Sequence, residues 1–220
     1  MAAHSPSPSP VVSRKSQDSD LVVYAGEHRY ELYKPDNETL IFSFPVPSGL
    51  TMKDLDFSCT GVSVSCRLKK SSAPPFLEGK LWSSLRPGAD PPIITFEEQK
   101  SGRTLVIEFN ISSGVQWPVL IGRPLNADAE SIDPWSAYLL ASVLERPSAT
   151  MPANPIEAFA FFKNAARRGV AEAQYRLGQI YSNHIDAVMC GAGLDRRLAV
   201  TYFLAVAKVR SIGSHSQFTT

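Results

Sequence analysis

The first half of the chain carries apolar side chains at every second position, a pattern that predicts strands with one buried face. The clearest run lies at 40–46, where Leu40, Phe42, Phe44 and Val46 alternate with other residues. Six more short segments have β-type composition and are separated by Gly, Pro and Ser turns; they are 30–33, 55–59, 62–68, 76–82, 93–97 and 103–109. This spacing predicts an antiparallel seven-stranded β-sandwich.

Two of these segments are predicted to form a hairpin with Thr60-Gly61 as its turn. A two-residue turn at this point pairs position 59 with 62, 57 with 64 and 55 with 66. The seven apolar residues of the two strands then lie on one face of the sheet. This register places Cys66 opposite Leu55 and away from Cys59. Both thiols are therefore expected to be buried, without a disulfide between them.

From Asp133 onwards the apolar period changes to 3.6 residues, the period of an α-helix. Asp133 and Asn154 each precede a proline, an arrangement typical of a helix N-cap followed by the first helical residue. Four helices are predicted, with a loop over 182–194 between the last two; they span 134–145, 155–168, 171–182 and 196–208. Their apolar and small residues recur after about 40 positions, which predicts two antiparallel helical-hairpin repeats.

These patterns predict a β + α chain of two folded modules. The β module covers 27–124, a linker covers 125–132, and the helical module covers 133–210. Residues 1–26 are rich in Ser and Pro, and 211–220 are polar. Neither end contains enough apolar residues to form a core, so both are predicted to be disordered tails.

Charge and composition exclude several classes of protein. The 220 residues include 22 Lys and Arg against 21 Asp and Glu. The chain therefore lacks the excess of positive charge that is typical of proteins that bind nucleic acid or anionic membranes. The sequence contains no run of about 18 apolar residues, so no membrane-spanning helix is predicted. The N-terminus lacks the pattern expected of a secretory signal peptide. With three irregularly spaced cysteines, the chain is expected in the reducing cytoplasm.

No set of residues predicts catalysis, a metal site or a cofactor site. The four histidines are isolated from one another, and no glycine-rich loop joins a strand to a helix. Cys190 lies near His184, but we interpret it as an unreactive thiol of the 182–194 loop. Glu78 is predicted at an exposed strand end, where nothing would desolvate its carboxyl group and shift its pKa for acid–base catalysis.

Seven residues are candidates for partner contact. Three are predicted on the solvent side of the helix at 171–182: Gln174, Arg176 and Gln179. Four belong to the β module: Trp82, Trp117, Lys69 and Lys70. Tryptophans in a sandwich of this size more often close the core, and a short basic pair is more often a solvated face. The tyrosines of the helical module are expected to pack between helices: Tyr138, Tyr175 and Tyr181.

Three stretches of the β module are distinctive: Val46-Pro-Ser-Gly-Leu-Thr-Met-Lys-Asp-Leu55, Leu77-Glu-Gly-Lys-Leu-Trp82 and Trp117-Pro-Val-Leu-Ile121. With them, residues 28–124 resemble the CS domain of NudC proteins and of the small co-chaperones of the cytosolic heat-shock ATPase. Tyr33 stands near the position where this family usually has a tryptophan. The resemblance implies a β-sandwich that associates with the heat-shock ATPase machinery or with dynein-linked client proteins.

The helical module contains Ala171-Glu-Ala-Gln-Tyr-Arg-Leu-Gly178 followed by Tyr181, and before it Asn154, Phe161 and Gly169 at matching spacing. This pattern resembles Sel-like repeats, which are related to the tetratricopeptide repeat. The resemblance implies a concave face that binds peptides. Two repeats are fewer than the three or so that such arrays usually need. Either the repeats lean on the sandwich, or they are a shortened form of a longer solenoid.

The sequence therefore predicts a non-enzymatic, cytoplasmic co-chaperone or adaptor. Its β module would bind the cytosolic heat-shock chaperone or unfolded client polypeptides, and its helical repeats would recruit other proteins. Dynein-linked proteins are further candidate partners, whereas nucleic acid and membranes are not expected. The alternative is a Sel-repeat scaffold that assembles a signalling or degradation complex, in which the sandwich has a structural role.

Overall fold

The computed structural model describes residues 29–71, 75–99, 102–126, 131–147 and 152–215. Within these ranges eight strands form two antiparallel sheets of four strands each. The first sheet has the spatial order β1 (Glu31–Tyr33), β2 (Thr39–Val46), β7 (Gly102–Asn110), β6 (Ile93–Gln99). The second has the order β3 (Leu55–Thr60), β4 (Ser63–Leu68), β5 (Leu77–Leu81), β8 (Ile121–Arg123). The predicted tail at 1–26 lies outside the described residues.

The alternating residues of the first sheet face inwards, as the sequence pattern predicts. Along β2 every second side chain is buried, and Phe42 and Phe44 are almost fully enclosed. The neighbouring strand β7 contributes Leu105, Ile107 and Phe109 in the same alternation. Buried residues of both sheets form one hydrophobic cluster, so the two sheets enclose a common core.

The described chain has eight strands, not the seven predicted. The additional strand β8 pairs with β5 at the edge of the second sheet. It contains only three residues, of which Ile121 alone is buried. A strand this short offers no alternation to detect, so its pairing is fixed by the surrounding tertiary structure.

The predicted hairpin of β3 and β4 forms, but its predicted register is wrong. Cys59 pairs with Val64 and Phe57 with Cys66, so Gly61 and Val62 form the turn. Hydrogen bonds between two polar residues hold the turn in this register. Thr60 Oγ1 accepts a hydrogen bond from the Ser63 backbone N–H at 3.1 Å, and the two hydroxyl groups lie 2.7 Å apart. Val62 is consequently exposed.

The predicted burial of two thiols in this hairpin is half right. Cys66 is fully buried, whereas Cys59, which lies next to the turn end of the strand pair, is only half-buried. Cys59, Cys66 and Cys190 are all free thiols.

Five α-helices lie in the described part of the helical module: α1 (Pro134–Leu144), α2 (Pro155–Arg167), α3 (Ala171–Ser182), α4 (His184–Met189) and α5 (Arg196–His215). Both predicted N-caps are confirmed. The Asp133 side chain accepts a hydrogen bond from Ser136 N at 2.8 Å, and Asn154 accepts one from Glu157 N at 3.3 Å. Prolines occupy the first turns of both helices.

Two helix boundaries differ from the prediction. The loop predicted at 182–194 contains α4, which begins because Asn183 Oδ1 accepts a hydrogen bond from Ile185 N at 2.9 Å. The last helix continues to His215, so the predicted tail at 211–220 begins inside it. No proline stands between 196 and 215 to stop this helix.

The helices pack in order, with α1 against α2, α2 against α3, and α3 against α5. Aromatic rings fill the spaces between them: Tyr138 lies 6.1 Å from Phe162, and Tyr181 stacks on Tyr202 at 6.0 Å. Gly178 permits the close approach of α3 and α5, since a Cβ atom there would lie 2.6 Å from the Phe203 ring. The expectation that tyrosines pack between helices is confirmed for Tyr138 and Tyr181.

The helical module leans on the β module, as the first of the two predicted arrangements has it. Asp133 joins them, because its Oδ2 accepts a hydrogen bond from Glu78 N and its own N–H donates to Glu78 O, both at 3.0 Å. The hydroxyl groups of Tyr30 and Ser136 lie 2.9 Å apart beside this contact. The buried residues of α1 and of β8 belong to one hydrophobic cluster. The two modules therefore share a core.

This junction also corrects the predicted place of Glu78. Its side chain is buried, not exposed at a strand end, and forms an ion pair with Arg67 on the neighbouring strand. The predicted linker at 125–132 contributes to the junction as well. Leu125 N donates to Ser131 O at 3.0 Å, and Ile132 is fully buried.

Stability is expected to rise as the pH falls from about 7 to about 5, because burial raises the pKa of the Asp133 carboxyl group from 3.8 to about 6. The folded protein then binds this proton more tightly than the unfolded chain does. The stabilisation is complete below pH 3.8 and is lost as the pH rises through about 6. The full shift corresponds to about 3 kcal/mol, of which about 1.3 kcal/mol falls between pH 7 and pH 5. It is measurable as the free energy of unfolding in urea.

The control for this prediction is Asp133→Asn, which cannot titrate and should flatten the dependence between pH 5 and 7. Hydrogen bonds lower the pKa values of Asp36 and Asp54, so these carboxyl groups titrate below the range of pH 5 to 7. A parent protein that is more stable at pH 7 than at pH 5 would contradict the prediction.

Candidate functional site

A groove of about 630 Å³ runs between α1 and α3. We call it the helical groove, and its main wall residues are Tyr138, Glu145, Arg146, Tyr175, Arg176 and Gln179. Helical spacing brings them together, because residues three or four positions apart lie on one face of a helix. The opposite face of α3 carries Ala173, Leu177 and Ile180, which are buried against the neighbouring helices.

One end of the helical groove is held by an ion-pair network centred on Arg176. Its guanidinium group lies 2.6 Å from Glu145 and 3.0 Å from Asp186, and it donates to Gln179 at 3.3 Å. Burial alone would lower the pKa of Arg176, but the hydrogen bonds and charges of both carboxylates raise it. Arg176 therefore joins the end of α1 to α3 and α4, and it is already engaged by its neighbours.

The other end of the helical groove is closed by Arg29. Its side chain forms an ion pair with Glu172 at the start of α3 and lies over the Trp135 ring at 5.5 Å. Through these two contacts Arg29 lies at the rim of a groove in the helical module.

The helical groove also presents an aromatic ring and a cation to solvent. Tyr175 is 48% exposed although its ring lies 5.6 Å from Phe203, so the expectation that it packs between helices is only partly right. Arg146 is exposed at the end of α1 and has no ion-pair partner among the described residues. An exposed ring and an exposed guanidinium group that line one groove can bind apolar and acidic groups of another polypeptide.

The structure separates the three site residues that were predicted on α3. Arg176 and Gln179 both line the helical groove. Gln174 does not lie on the solvent side, because its half-buried amide donates a hydrogen bond to Ala166 O at 3.1 Å near the end of α2. The sequence reasoning missed Glu145 and Arg146, although their spacing from Tyr138 places them on the same face of α1.

The four candidates of the β module lie at three different places. Trp117 is buried in the core. Trp82 is half-buried and lines a cleft of about 880 Å³ between the modules, together with Phe161 of α2. Lys69 and Lys70 are exposed after β4, and Lys69 Nζ donates to Lys53 O at 3.1 Å. These residues do not form one surface with the helical groove.

The surroundings of the three thiol groups disfavour the thiolate form. Burial raises the pKa of Cys190, and the neighbouring Glu145 and Asp186 add to that effect. Burial also raises the pKa of Cys59 to about 11 and that of Cys66 to about 12. A reactive cysteine requires the opposite shift, towards the thiolate.

Two other kinds of feature are absent from the described residues. No three side chains of His, Cys, Asp or Glu come together there in an arrangement that could hold a metal ion. None of the helices in that part of the chain combines the length and the apolar character needed to cross a membrane.

Comparisons with known proteins assign the chain to no family. No protein-family model matches it, and no curated protein matches it. Among solved structures, the CS1 domain of USP19, determined in solution, is similar at 16% sequence identity and a TM-score of 0.28. The match covers 43% of this chain and 97% of that domain. A TM-score and an identity this low identify neither a family nor an activity.

Proposed function

We propose that the chain is a non-enzymatic, cytoplasmic adaptor of the co-chaperone type. The observation that carries this proposal is the helical groove, where Tyr175 and Arg146 are exposed to solvent and a network of ion pairs fixes the wall. A wall held by ion pairs is preorganised, so a partner loses less free energy in ordering it. Aromatic and arginine side chains are also the residues that contribute most to protein interfaces.

In this proposal the β module supplies the contact with the chaperone system. Its resemblance to CS domains of the NudC type supports binding of the cytosolic heat-shock chaperone, of unfolded clients or of dynein-linked proteins. The exposed pair Lys69 and Lys70 would contact the partner at the surface. Trp82 would contact it inside the cleft between the modules. No nucleotide is required, since a protein that binds non-native chains withholds them from aggregation by mass action.

The alternative function is a scaffold built on Sel-like repeats, in which the helices alone recruit signalling or degradation proteins. One observation favours it: apart from Arg29, the residues that line the helical groove belong to the helical module, whereas the large apolar residues exposed on the β strands are scattered singly. In this case the β module would support the helices through the shared core and would bind nothing itself.

Point variants of the full chain separate the two functions better than deletion of 133–220 would, because a deletion would expose the shared core. The groove variant is Arg146→Glu with Tyr175→Asp, and the β-module variant is Lys69→Glu with Lys70→Glu. The assays are capture of bound proteins from cytosol and suppression of aggregation of an unfolding client. We expect the groove variant to lose its captured partners about tenfold and the β-module variant to lose chaperone binding.

A matched control is Arg196→Glu, which reverses another exposed arginine, at the start of α5 and not among the residues that line the helical groove. It should bind as the parent does. Loss of all binding only in the groove variant supports the scaffold. If neither variant changes capture or client protection, both proposals are wrong.

A further inference from the structure

We propose that the outer face of α5 binds an acidic amphipathic helix of another protein, at the place where a third repeat would pack. This face consists of Val200, Leu204 and Ala207, and we call it the α5 face. Spacings of four and three residues put these side chains on one stripe of the helix. All three are exposed, Val200 at 55% and Leu204 at 64%. None of them lines the helical groove, so this site is separate from the one proposed above.

The two helix pairs of the module are structural repeats of each other. In the first pair, Phe162 of α2 lies 6.1 Å from Tyr138 of α1. In the second pair, Phe203 of α5 lies 5.6 Å from Tyr175 of α3. Phe203 follows Phe162 by 41 residues, and Tyr175 follows Tyr138 by 37. α5 therefore has the same relation to α3 as α2 has to α1.

The repeat also shows which kind of element covers such a face. The offset of 41 residues relates Val200 to Phe159 and Ala207 to Ala166. Both of these α2 residues are buried, and the Phe159 ring lies 5.7 Å from Tyr181 of α3. In the first repeat the equivalent face is thus covered by a helix. A helix in the corresponding position would cover Val200 and Ala207.

The described part of this chain does not supply that helix. After α2, Gly169 adopts a left-handed conformation with φ of 95°, and α3 begins two residues later. The residue 41 positions further on is Arg210, which lies inside α5. Because α5 continues to His215, the chain does not turn back there as it does after α2. We therefore assign the covering helix to another polypeptide.

The charge around the α5 face determines the chemistry of this partner. No acidic residue stands between 196 and 208, and Arg197 and Lys208 are exposed along one side of the stripe. Asp195 precedes the helix and caps it, accepting hydrogen bonds from the backbone N–H groups of Arg197 and Leu198 at 3.0 Å. Acidic residues along the edge of a partner helix would complement the two cations, whereas a second copy of α5 would bring like charges together.

The probe for this site is a fluorescent synthetic peptide of residues 170–184, which copies α3, with a hydrocarbon staple between positions 172 and 176 to keep it helical. Tyr175→Glu, Gln179→Glu and Ser182→Glu make the peptide acidic. A peptide with lysine at the same three positions is the matched control. Fluorescence anisotropy with the full chain should show the acidic peptide binding at least tenfold more tightly than the lysine peptide. Equal affinities, or no binding of the acidic peptide, would overturn the proposal.

Two variants of the full chain locate the binding site. Leu204→Glu places a like charge in the middle of the α5 face and should weaken binding of the acidic peptide about tenfold. Val188→Glu changes another exposed apolar residue, on α4, and should bind the peptide as the parent does. Since both side chains are exposed, neither change removes a residue of the core. Unchanged binding to Leu204→Glu would overturn the proposal.

Sedimentation of the parent chain alone tests the competing occupant. A monomer is expected, because like charges oppose self-association through α5. A dimer that Leu204→Glu dissociates would show that a second copy covers the α5 face, and it would overturn the proposal.

This proposal and the proposed adaptor function can fail separately. Arg146→Glu alters the helical groove and should leave the affinity for the acidic peptide unchanged, since Arg146 does not belong to α5. Peptide binding to the α5 face without any partner captured through the groove would overturn only the adaptor function. Capture that depends on Arg146, without binding of the acidic peptide, would overturn only the present proposal.

Discussion

Gly79→Ala is expected to lower the free energy of unfolding by about 3 kcal/mol. Gly79 lies on β5 at the point where β8 approaches, and a Cβ atom there would overlap Ile121 Cγ2 and lie 2.9 Å from Arg123 O. The backbone carbonyl of Arg123 cannot rotate away as the end of a flexible side chain could. The φ angle of 156° also disfavours a side chain. Urea denaturation followed by circular dichroism measures the loss.

The matched control for this change is Gly61→Ala in the hairpin turn. A Cβ atom at Gly61 meets nothing within 4 Å, and its φ angle lies outside the left-handed region. This variant should therefore stay within about 0.5 kcal/mol of the parent. Equal stabilities of the two variants would show that β5 and β8 do not approach as closely as described.

Asp133→Ala is expected to lower the free energy of unfolding by about 2 to 3 kcal/mol at pH 7. The change removes the N-cap of α1 and leaves the Glu78 N–H and the Ser136 N–H without their acceptor. Both groups are buried at the junction of the two modules. Relief of the buried carboxylate's desolvation offsets part of the loss, so we expect a larger effect at pH 5 than at pH 7.

The matched control here is Asn154→Ala, which removes the N-cap of α2 in an exposed position. It should cost about 1 kcal/mol, the ordinary value for a cap. The same denaturation assay serves for both variants. If Asp133→Ala cost no more than Asn154→Ala, the contact of Asp133 with Glu78 would contribute nothing beyond capping.

Local patterns in the sequence predicted most of the elements correctly. Alternation identified β2 and β7 because both strands bury one face in the shared core. Proline after Asp133 and Asn154 located the starts of α1 and α2, since capping is a property of neighbouring residues. The register of β3 and β4 could not be found in this way. It depends on a polar pair, Thr60 and Ser63, that an apolar pattern ignores.

The candidate site was less predictable than the elements, because it depends on which helix faces meet. The helical face containing Arg176 and Gln179 could be predicted from spacing within α3. The ion pair of Arg176 with Glu145 could not, since it joins residues of two helices. Likewise, nothing local distinguishes Gln174, which is turned towards Ala166, from its neighbours on the same helix.

The late position of β8 has a consequence for the protein during its synthesis. The ribosome makes β5 long before β8, so the pairing edge of β5 stays open while some 40 further residues are added. That edge is complete only when 121–144 have left the exit tunnel, because α1 packs behind β8. A nascent chain stalled before this point would present an unpaired strand to other chains, and we expect it to aggregate or to bind a ribosome-associated chaperone.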